Sequence, residues 1–276
     1  MSRFLIITHA YDEFFRMKYL LAMLAGYWAD AGHHVVVARG LDDWPEADAA
    51  ILHVDLSVIP TAYIEAAKRY PVVVNGAAAD IRKRHVSRHL VRPEDGWTGP
   101  VVIKTDLNCG GIPEQTKRER ARETPGAPDL TAEAIVFTND PYPILQSPGE
   151  VPVAVWNHPG LVVERFLPER DSRGFWGRTW IFFGDRERCS RYLSAHPVVK
   201  GREILAREPA EVPEILRAER ERLGFDYGKF DFVLHNGEPI LFDANRTPGA
   251  PPALPELVAS NLELARGIDA LMRRSR

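Results

Sequence analysis

The N-terminal part of the chain alternates short apolar runs with segments of helical periodicity. Four apolar runs have the length and β-branched content of buried strands, namely residues 4–8, 34–38, 49–54 and 72–74. Residues 15–31 carry leucines and a tryptophan at helical spacing and end at Gly32, and residues 60–69 predict a second helix. Strands and helices that alternate across short turns indicate a parallel sheet covered by helices. We expect this α/β domain to span residues 1–76.

Beyond residue 76 the pattern changes to scattered strands separated by polar and basic segments. Strands are predicted at residues 101–104, 161–166, 180–183, 191–194, 230–234 and 239–242, and helices at residues 81–92, 211–223 and 261–274. The dipeptide Asn236-Gly237 between the last two strands favours a type I′ hairpin turn. Residues 115–128 are charged and then rich in proline and glycine, which predicts a mobile excursion whose basic part, 117–122, is a solvated helix face.

Composition narrows the class of protein without indicating one activity. The 276 residues are 45% hydrophobic and 26% charged, as in ordinary globular proteins. A net charge of −3 provides no general basic field for nucleic acid or an anionic membrane. No apolar run approaches the roughly twenty residues that span a bilayer. Two cysteines and an N-terminus without a signal-peptide pattern favour a cytoplasmic protein.

The C-terminal hairpin carries the clearest chemical pattern. Side chains alternate along a strand, so Asp231 faces one side of the first strand, while Leu241, Asp243 and Asn245 share one side of the returning strand. The turn brings these sides together, and two carboxylates with an amide oxygen form the oxygen-only site that magnesium prefers. Alternatively, Asp243 and Asn245 end the strand and form turns before Pro248.

Two further segments suit a nucleotide. Lys104 leaves an apolar strand and precedes Gly110-Gly111, so the lysine and the loop amides suit phosphate oxygens. A lysine at a strand end also commonly extends into water. Residues 161–167 form an apolar strand with a polar edge, which suits pairing of its backbone with an adenine edge. An ordinary edge strand has the same pattern.

In this order the three features resemble the ATP-grasp superfamily. The match rests on Lys104 with its glycine loop, on the strand that contains Glu164, and on the run from Lys229 to Gly249. The resemblance implies an α/β (α+β) architecture, in which a Rossmann-like parallel-sheet domain precedes two α+β subdomains that enclose the nucleotide. The ATP-grasp domain would then occupy residues 77–276, with a nucleotide-lid subdomain at about 100–168 and a C-terminal subdomain at about 169–276.

The resemblance also implies a role for individual residues. Contacts with ATP would come from residues for the phosphates (Lys83, Lys104, Gly110 and Gly111), for adenine (Glu164, Arg165, Phe166 and Leu167) and for ribose (Glu169 or Asp171). Substrate or the transferred phosphate would contact Arg178, Lys200 and Arg246, and Mg²⁺ would be held by Asp231, Asp243 and Asn245. Asp243 departs from the family pattern, which more commonly has glutamate at this position.

The activity that the resemblance implies is ATP- and Mg²⁺-dependent ligation. A carboxylate would be activated as an acyl-phosphate and attacked by an amine or a thiol, with ADP released. Its partners would be small-molecule or peptide acid and amine substrates, with no nucleic acid and no membrane, and a homodimer is compatible with the pattern. Two alternatives stay open: a kinase of the same fold that phosphorylates a hydroxyl, and a non-catalytic ATP-binding module that regulates a partner.

Overall fold

The structure is a computed structural model that describes residues 1–124, 142–199, 203–250 and 255–274. Its first elements are β1 (Arg3–Thr8), α1 (Leu20–Asp30), β2 (His34–Arg39), β3 (Ala49–Leu52), α2 (Thr61–Ala67) and β4 (Val73–Val74). The four strands form a parallel sheet in the order β2-β1-β3-β4. The predicted strands and the predicted parallel sheet are therefore confirmed.

Both faces of this sheet are covered, as parallel sheets require. Phe4 and Ile6 pack in one core cluster with α1, whereas Leu5 and Ile7 pack in another with residues of α2. The first helix begins later than predicted, at Leu20. The residues before it form turns that carry buried aromatic rings toward the sheet, so their apolar pattern reflects burial in a loop.

The second part contains α3 (Lys83–Val86), β5 (Val101–Thr105), α4 (Ile112–Arg122), β6 (Ile144–Leu145), α5 (Val153–Trp156) and β7 (Leu161–Arg165). Its strands form an antiparallel sheet in the order β6-β5-β7. The predicted helix over residues 81–92 is wrong beyond Val86. The chain then runs beside β7, where the N–H of Val91 donates to the carbonyl of Val163 at 2.8 Å and Leu90 bridges Glu164.

Helix α4 replaces most of the predicted mobile excursion. It begins at Ile112 and ends at Arg122, and residues 125–128 lie outside the described ranges. The prediction of a solvated basic face is wrong for Lys117, whose exposed fraction is 3%. Its ammonium group is directed into the N-terminal domain, a tertiary contact that local charge patterning does not reveal.

The third part contains β8 (Glu169–Asp171), β9 (Gly174–Phe183), β10 (Arg186–Ser194), β11 (Ala206–Pro209), α6 (Glu214–Arg222), β12 (Tyr227–His235) and β13 (Glu238–Asn245). Its antiparallel sheet has the order β11-β10-β9-β12-β13, and β8 also pairs with β9. One face packs into an aromatic core that includes Trp180, Phe182 and Phe230. The predicted hairpin turn is present, with φ of 53° at Asn236 and 86° at Gly237.

Two C-terminal helices, α7 (Pro255–Ala265) and α8 (Gly267–Arg274), replace the predicted single helix. They separate at a close approach to the third sheet, because a Cβ atom on Gly267 would lie 1.8 Å from the carbonyl oxygen of Phe183. The helices pack on the N-terminal domain, where the indole N–H of Trp28 donates to the carbonyl of Ala265 at 2.8 Å. Among the described residues, no helix is long and apolar enough to cross a membrane.

Asn75 joins the N-terminal sheet to the third sheet at the expected domain boundary. Its amide oxygen accepts the N–H groups of Asp226 and Tyr227 at 2.9 and 3.0 Å, and its amide nitrogen donates to the carbonyl of Tyr227 at 2.8 Å. The domain division after residue 76 stays a prediction, and the hydrogen bonds of Asn75 connect the two sides of that boundary.

Candidate active site

A cleft of about 900 Å³ lies between the β6-β5-β7 sheet and the face of the third sheet opposite its aromatic core. Nine of the residues expected from the sequence line it: Lys83, Lys104, Glu164, Arg165, Phe166, Leu167, Arg178, Asp231 and Asp243. Six expected residues do not line it: Gly110, Gly111, Glu169, Asp171, Asn245 and Arg246. Lys200 lies outside the described residues.

Two aspartates face each other across adjacent strands of the cleft. Asp231 on β12 is the direct partner of Asp243 on β13, a position in which side chains lie about 5 Å apart. Lys229 lies 2.6 Å from Asp231, Thr179 donates its hydroxyl to Asp231 at 2.7 Å, and Lys83 forms an ion pair with Asp243. Opposed like charges destabilise a sheet, and these cations and the hydroxyl offset that repulsion.

Lys83 reaches the aspartates from the short helix α3. Its side chain is 7% exposed. Burial acts against its charge, but the carboxylate of Asp243 outweighs that effect and raises the pKa of Lys83 above the usual value. The same balance raises the pKa of Lys229 beside Asp231. Both lysines are therefore cationic at neutral pH.

Asn245 lies at the end of β13 and contacts the turn that follows. Its side-chain oxygen accepts the N–H of Thr247 at 2.8 Å and lies 3.2 Å from the hydroxyl oxygen of Thr247, whose proton goes to Asp55. One acceptor position of the amide oxygen is therefore used by this turn. The alternative weighed from the sequence, in which Asn245 ends the strand and shapes the following turn, describes the geometry.

A β-bulge at Phe242 changes the faces of β13. Asp231 pairs with Asp243, but the next pair is Phe232 with Leu241, which leaves Phe242 as the additional residue. Leu241 consequently packs with Phe232 in the aromatic core although it also borders the cleft, so the simple alternation expected along β13 is interrupted. The bulge places the ring of Phe242 in the cleft, with the ammonium nitrogen of Lys104 5.0 Å from its centroid.

Lys104 and Glu164 form a buried pair on the opposite wall. The ammonium nitrogen of Lys104 lies 2.6 Å from Oε2 of Glu164, and the two side chains are 11% and 3% exposed. The second carboxylate oxygen, Oε1, is buried without a hydrogen-bond partner among the described atoms. A buried carboxylate oxygen without a donor is costly, so it marks a position where a ligand donor would be favourable.

Two of the three backbone N–H groups that directly follow Glu164 already form hydrogen bonds. Arg165 donates its N–H to the carbonyl of His89, and Phe166 donates to that of Pro100, both at 2.9 Å. The N–H of Leu167 makes no hydrogen bond within the described part of the chain, and Leu167 lines the cleft. Of the three donors, that of Leu167 is the one available to a planar ligand.

The loop after β5 turns away from the cleft. Cys109, Gly110 and Gly111 have φ values of 47°, 69° and 79°, which form a tight turn leading into α4. Cys109 lines the cleft, but neither glycine does. In this conformation Gly110 and Gly111 serve the turn, so their predicted role in covering phosphates is not supported by their positions.

The predicted ribose and substrate contacts are occupied by structural partners. Arg178 borders the cleft, but its guanidinium donates two hydrogen bonds to Glu169 at 2.8 and 2.7 Å. Glu169 also accepts the N–H of Leu234 at 2.7 Å, so three hydrogen bonds hold its carboxylate in place. Asp171 lies at the exposed turn between β8 and β9 and bonds the N–H of Arg173.

Arg246 is buried between domains. It donates to the carbonyl oxygens of Ala78 (2.6 Å) and Leu56, and its exposed fraction is 0%. Its charged end faces backbone carbonyls on both sides of the domain boundary, so the predicted contact with a transferred phosphate stays a prediction that this geometry does not support.

Lys229 and Thr179 line the cleft, but the sequence analysis assigned them no role. Strand alternation could have identified Lys229, because it precedes Asp231 by two positions and therefore lies on the same face of the strand. Thr179 is the residue that β9 places opposite Asp231, which required knowledge of the strand register.

The described side chains contain no cluster of three or more His, Cys, Asp or Glu residues placed to hold a metal ion. The acidic pair is thus limited to two protein carboxylates. Magnesium is commonly held by one or two carboxylates with phosphate oxygens and water, so the pair fits that ion.

No protein-family model and no curated protein matches the sequence. Among solved structures, the fold is similar to a RimK domain ATP-grasp protein from Sphaerobacter thermophilus DSM 20745, with a TM-score of 0.54, 16% identity, and coverage of 97% of this chain and 99% of the other. It is also similar to a D-alanine–D-alanine ligase from Bacillus anthracis complexed with ATP, with a TM-score of 0.50, 14% identity, and coverage of 100% and 97%. The similarity extends over essentially the whole chain, and the fold of this protein is the ATP-grasp fold.

Proposed function

We propose that the chain is an ATP- and Mg²⁺-dependent ligase that activates a carboxylate as an acyl-phosphate for attack by an amine or thiol. One observation carries the proposal. A single cleft contains a buried Lys104–Glu164 pair on one wall and two opposed, lysine-neutralised aspartates on the other. Such a distribution of charge suits a nucleotide whose base lies at the first wall and whose phosphates extend to the second.

At the adenine end, two groups read the edge of the base. Oε1 of Glu164 accepts the 6-amino group, and the N–H of Leu167 donates to a ring nitrogen. Val102, Phe166 and Phe242 supply apolar walls for the ring faces. Lys104 then lies beside the first phosphates, to which its ammonium group turns from Glu164.

At the phosphate end, Asp231 and Asp243 would hold a magnesium ion together with phosphate oxygens and water. When bound, the ion would supply neutralisation of the charge on the transferred phosphate. Lys83 and Lys229, displaced from the aspartates, orient the terminal phosphate and its acceptor carboxylate. Phosphoryl transfer depends chiefly on such positioning and charge neutralisation, which explains why no nucleophilic side chain is needed.

The ligase assignment gains support from the fold, which this chain shares with a D-alanine–D-alanine ligase complexed with ATP. We place the reaction in the cytoplasm, where ATP is available and where Cys109 and Cys189, both unpaired, stay reduced. Its substrates are small-molecule or peptide acids and amines.

The proposal is tested by measuring ADP and phosphate release with MgATP and a panel of acids and amines, supplied singly and together. A ligase releases ADP only when an acid and an amine or thiol are both present. A stable phosphorylated product from one hydroxyl substrate identifies a kinase instead. Tight MgATP binding without turnover over the whole panel identifies a binding module. Asp231→Asn serves as the inactive control, with its fold checked by circular dichroism.

A further inference from the structure

Two arginines in the cleft have no acidic partner. Arg188 on β10 and Arg207 on β11 both line the cleft, and neither forms an ion pair with an Asp or Glu among the described residues. Arg191, on the opposite face of β10, is paired with Glu208. Arg178 of the same sheet is likewise paired, with Glu169, so two cleft arginines without an acidic partner indicate a site for an exogenous anion.

Neutral groups hold the two guanidiniums in place. Nη1 of Arg188 donates to Oδ1 of Asn261 at 2.5 Å and lies 3.3 Å from the hydroxyl of Ser260, while its Nε and Nη2 have no partner among the described residues. Arg207 lies with Nη2 3.3 Å from the hydroxyl of Ser190 and stands over the Tyr192 ring, 5.7 Å from its centroid.

Strand register places these groups around one point. Arg188, Ser190 and Tyr192 alternate onto one face of β10, and Arg207 is the partner of Tyr192 on β11. The guanidiniums therefore flank the Ser190 hydroxyl, which is free to donate to a third party because it acts as acceptor toward Arg207.

Electrostatics agrees with this arrangement. Burial, followed by the positive charge of Arg207, lowers the pKa of Arg188 below the usual value. Two uncompensated guanidiniums close together repel each other, and an anion between them removes the repulsion while accepting paired N–H bonds. A carboxylate has the planar geometry that a guanidinium fork binds best.

The position of the arginines relative to the acidic pair restricts which anion they bind. Lys104 contacts Phe242 on β13, and Asp231 and Asp243 belong to β12 and β13, so the nucleotide lies over that side of the sheet. β10 is two strands away from β12, with β9 between them, which corresponds to about 10 Å. A group held there lies to the side of the acidic pair, across β9.

We propose that Arg188, Arg207 and Ser190 form a carboxylate-binding subsite for the amine substrate, which makes that substrate an amino acid or a peptide. The proposal rests on the ligase function proposed above. The amine must attack beside the terminal phosphate, and its non-reacting end then extends toward β10 and β11. The side chains of Tyr192, Val199 and Ile204 supply apolar surface beside the subsite.

Arginine Nε–H resonances of ¹⁵N-labelled protein test the subsite directly. Glycylglycine and glycylglycinamide are titrated with and without MgADP, and the resonances are assigned with Arg188→Gln and Arg207→Gln. We expect glycylglycine to shift both resonances with one common dissociation constant, and the amide to shift neither. Arg188→Gln should raise the dissociation constant measured from the Arg207 resonance at least tenfold. Arg191, paired with Glu208 on the other face, is the internal control and should not respond.

Three results would overturn the proposal. The first is the absence of a shift, or equal shifts with the amide. The second is a response to succinate but not to glycylglycine, which assigns the subsite to the acid substrate. The third is a tenfold loss of MgATP affinity in Arg188→Gln, which assigns the arginines to the phosphates. Failure of the wild-type protein to bind MgATP contradicts the ligase function instead, since the glycylglycine titration without nucleotide still reports on the subsite.

Discussion

At the residue scale, the proposed nucleotide site depends most on the side chain of Glu164. One of its carboxylate oxygens neutralises Lys104 and the other has no donor among the described residues. The sequence identified Glu164 through its place in a strand, but the orphaned oxygen follows only from packing. Other residues show the limit of local pattern more sharply. Asn245 accepts a hydrogen bond from the turn at Thr247, and Phe242 enters the cleft through a bulge that strand alternation does not predict.

Replacing Glu164 by glutamine should narrow the preference for ATP over GTP. The carboxylate accepts from the 6-amino group of adenine and repels the 6-oxo group of guanine, whereas an amide can donate to that oxygen. We expect the ratio of the two dissociation constants to fall about tenfold, equivalent to about 1.4 kcal/mol. Calorimetric titration of both nucleotides measures the ratio. Glu169→Gln is the matched control, because Glu169 is held by Arg178 outside the cleft, and an unchanged ratio in Glu164→Gln would rule out this contact.

At the scale of elements, α4 joins two domains. Lys117 lies 3.3 Å from Asp12 and 3.2 Å from Asp55, which belong to the N-terminal domain. Asp55 also accepts the hydroxyls of Tyr19 and Thr247, the latter at 2.6 Å. Burial opposes ionisation of Asp55, but Lys117 and these hydroxyls lower its pKa below the usual value. The charge pattern of residues 117–122 predicted a helix. The carboxylates that bind its central lysine are more than sixty residues away in sequence, so the local pattern could not identify them.

Lys117→Met should destabilise the protein by about 3–5 kcal/mol, because it leaves two buried carboxylates without their cation. The free energy of unfolding in urea measures the effect. Arg120 on the same helix pairs with Glu13 at 2.8 Å, but both side chains are about a third exposed, so Arg120→Gln should cost at most about 1 kcal/mol. Equal losses in the two variants would contradict a specific role for the buried contact.

At the scale of the whole molecule, the order of most strands and helices could be predicted from the sequence, but several contacts between distant elements could not. Four parallel strands followed from apolar runs separated by helical segments, and the C-terminal hairpin followed from Asn236-Gly237. The break before α8 depends instead on Gly267 meeting the backbone of Phe183, and the end of α3 depends on Val91 pairing with β7. These contacts join residues that are far apart in the chain, so the hydrophobic periodicity within either segment cannot predict them.

The stability of the whole protein should fall as pH drops below about 6.5. His53 is fully buried, both its ring nitrogens lack partners among the described atoms, and burial lowers its pKa to about 3. In the unfolded chain the same group takes up a proton near its ordinary pKa, so acid favours the unfolded state between these two values. The loss approaches about 1.4 kcal/mol per pH unit for this residue.

His53→Phe retains an aromatic ring between Phe14 and Tyr19 and removes the titrating group. We expect its free energy of unfolding to depend less steeply on pH between 6.5 and 4 than that of the wild type. Some dependence remains, because burial also lowers the pKa of His9, to about 4. Identical slopes for variant and wild type would show that His53 does not control the acid response.

The most direct test of the central claim is the effect of Mg²⁺ on ATP affinity, measured calorimetrically with the ion and with a chelator. The wild-type protein should bind ATP at least tenfold more tightly with Mg²⁺, and the Asp231→Asn/Asp243→Asn variant should lose that increment whatever its absolute affinity. Asp171→Asn, at an exposed turn, should retain it. An increment of wild-type size in the double variant would contradict the assignment of the acidic pair as the magnesium site of an ATP cleft.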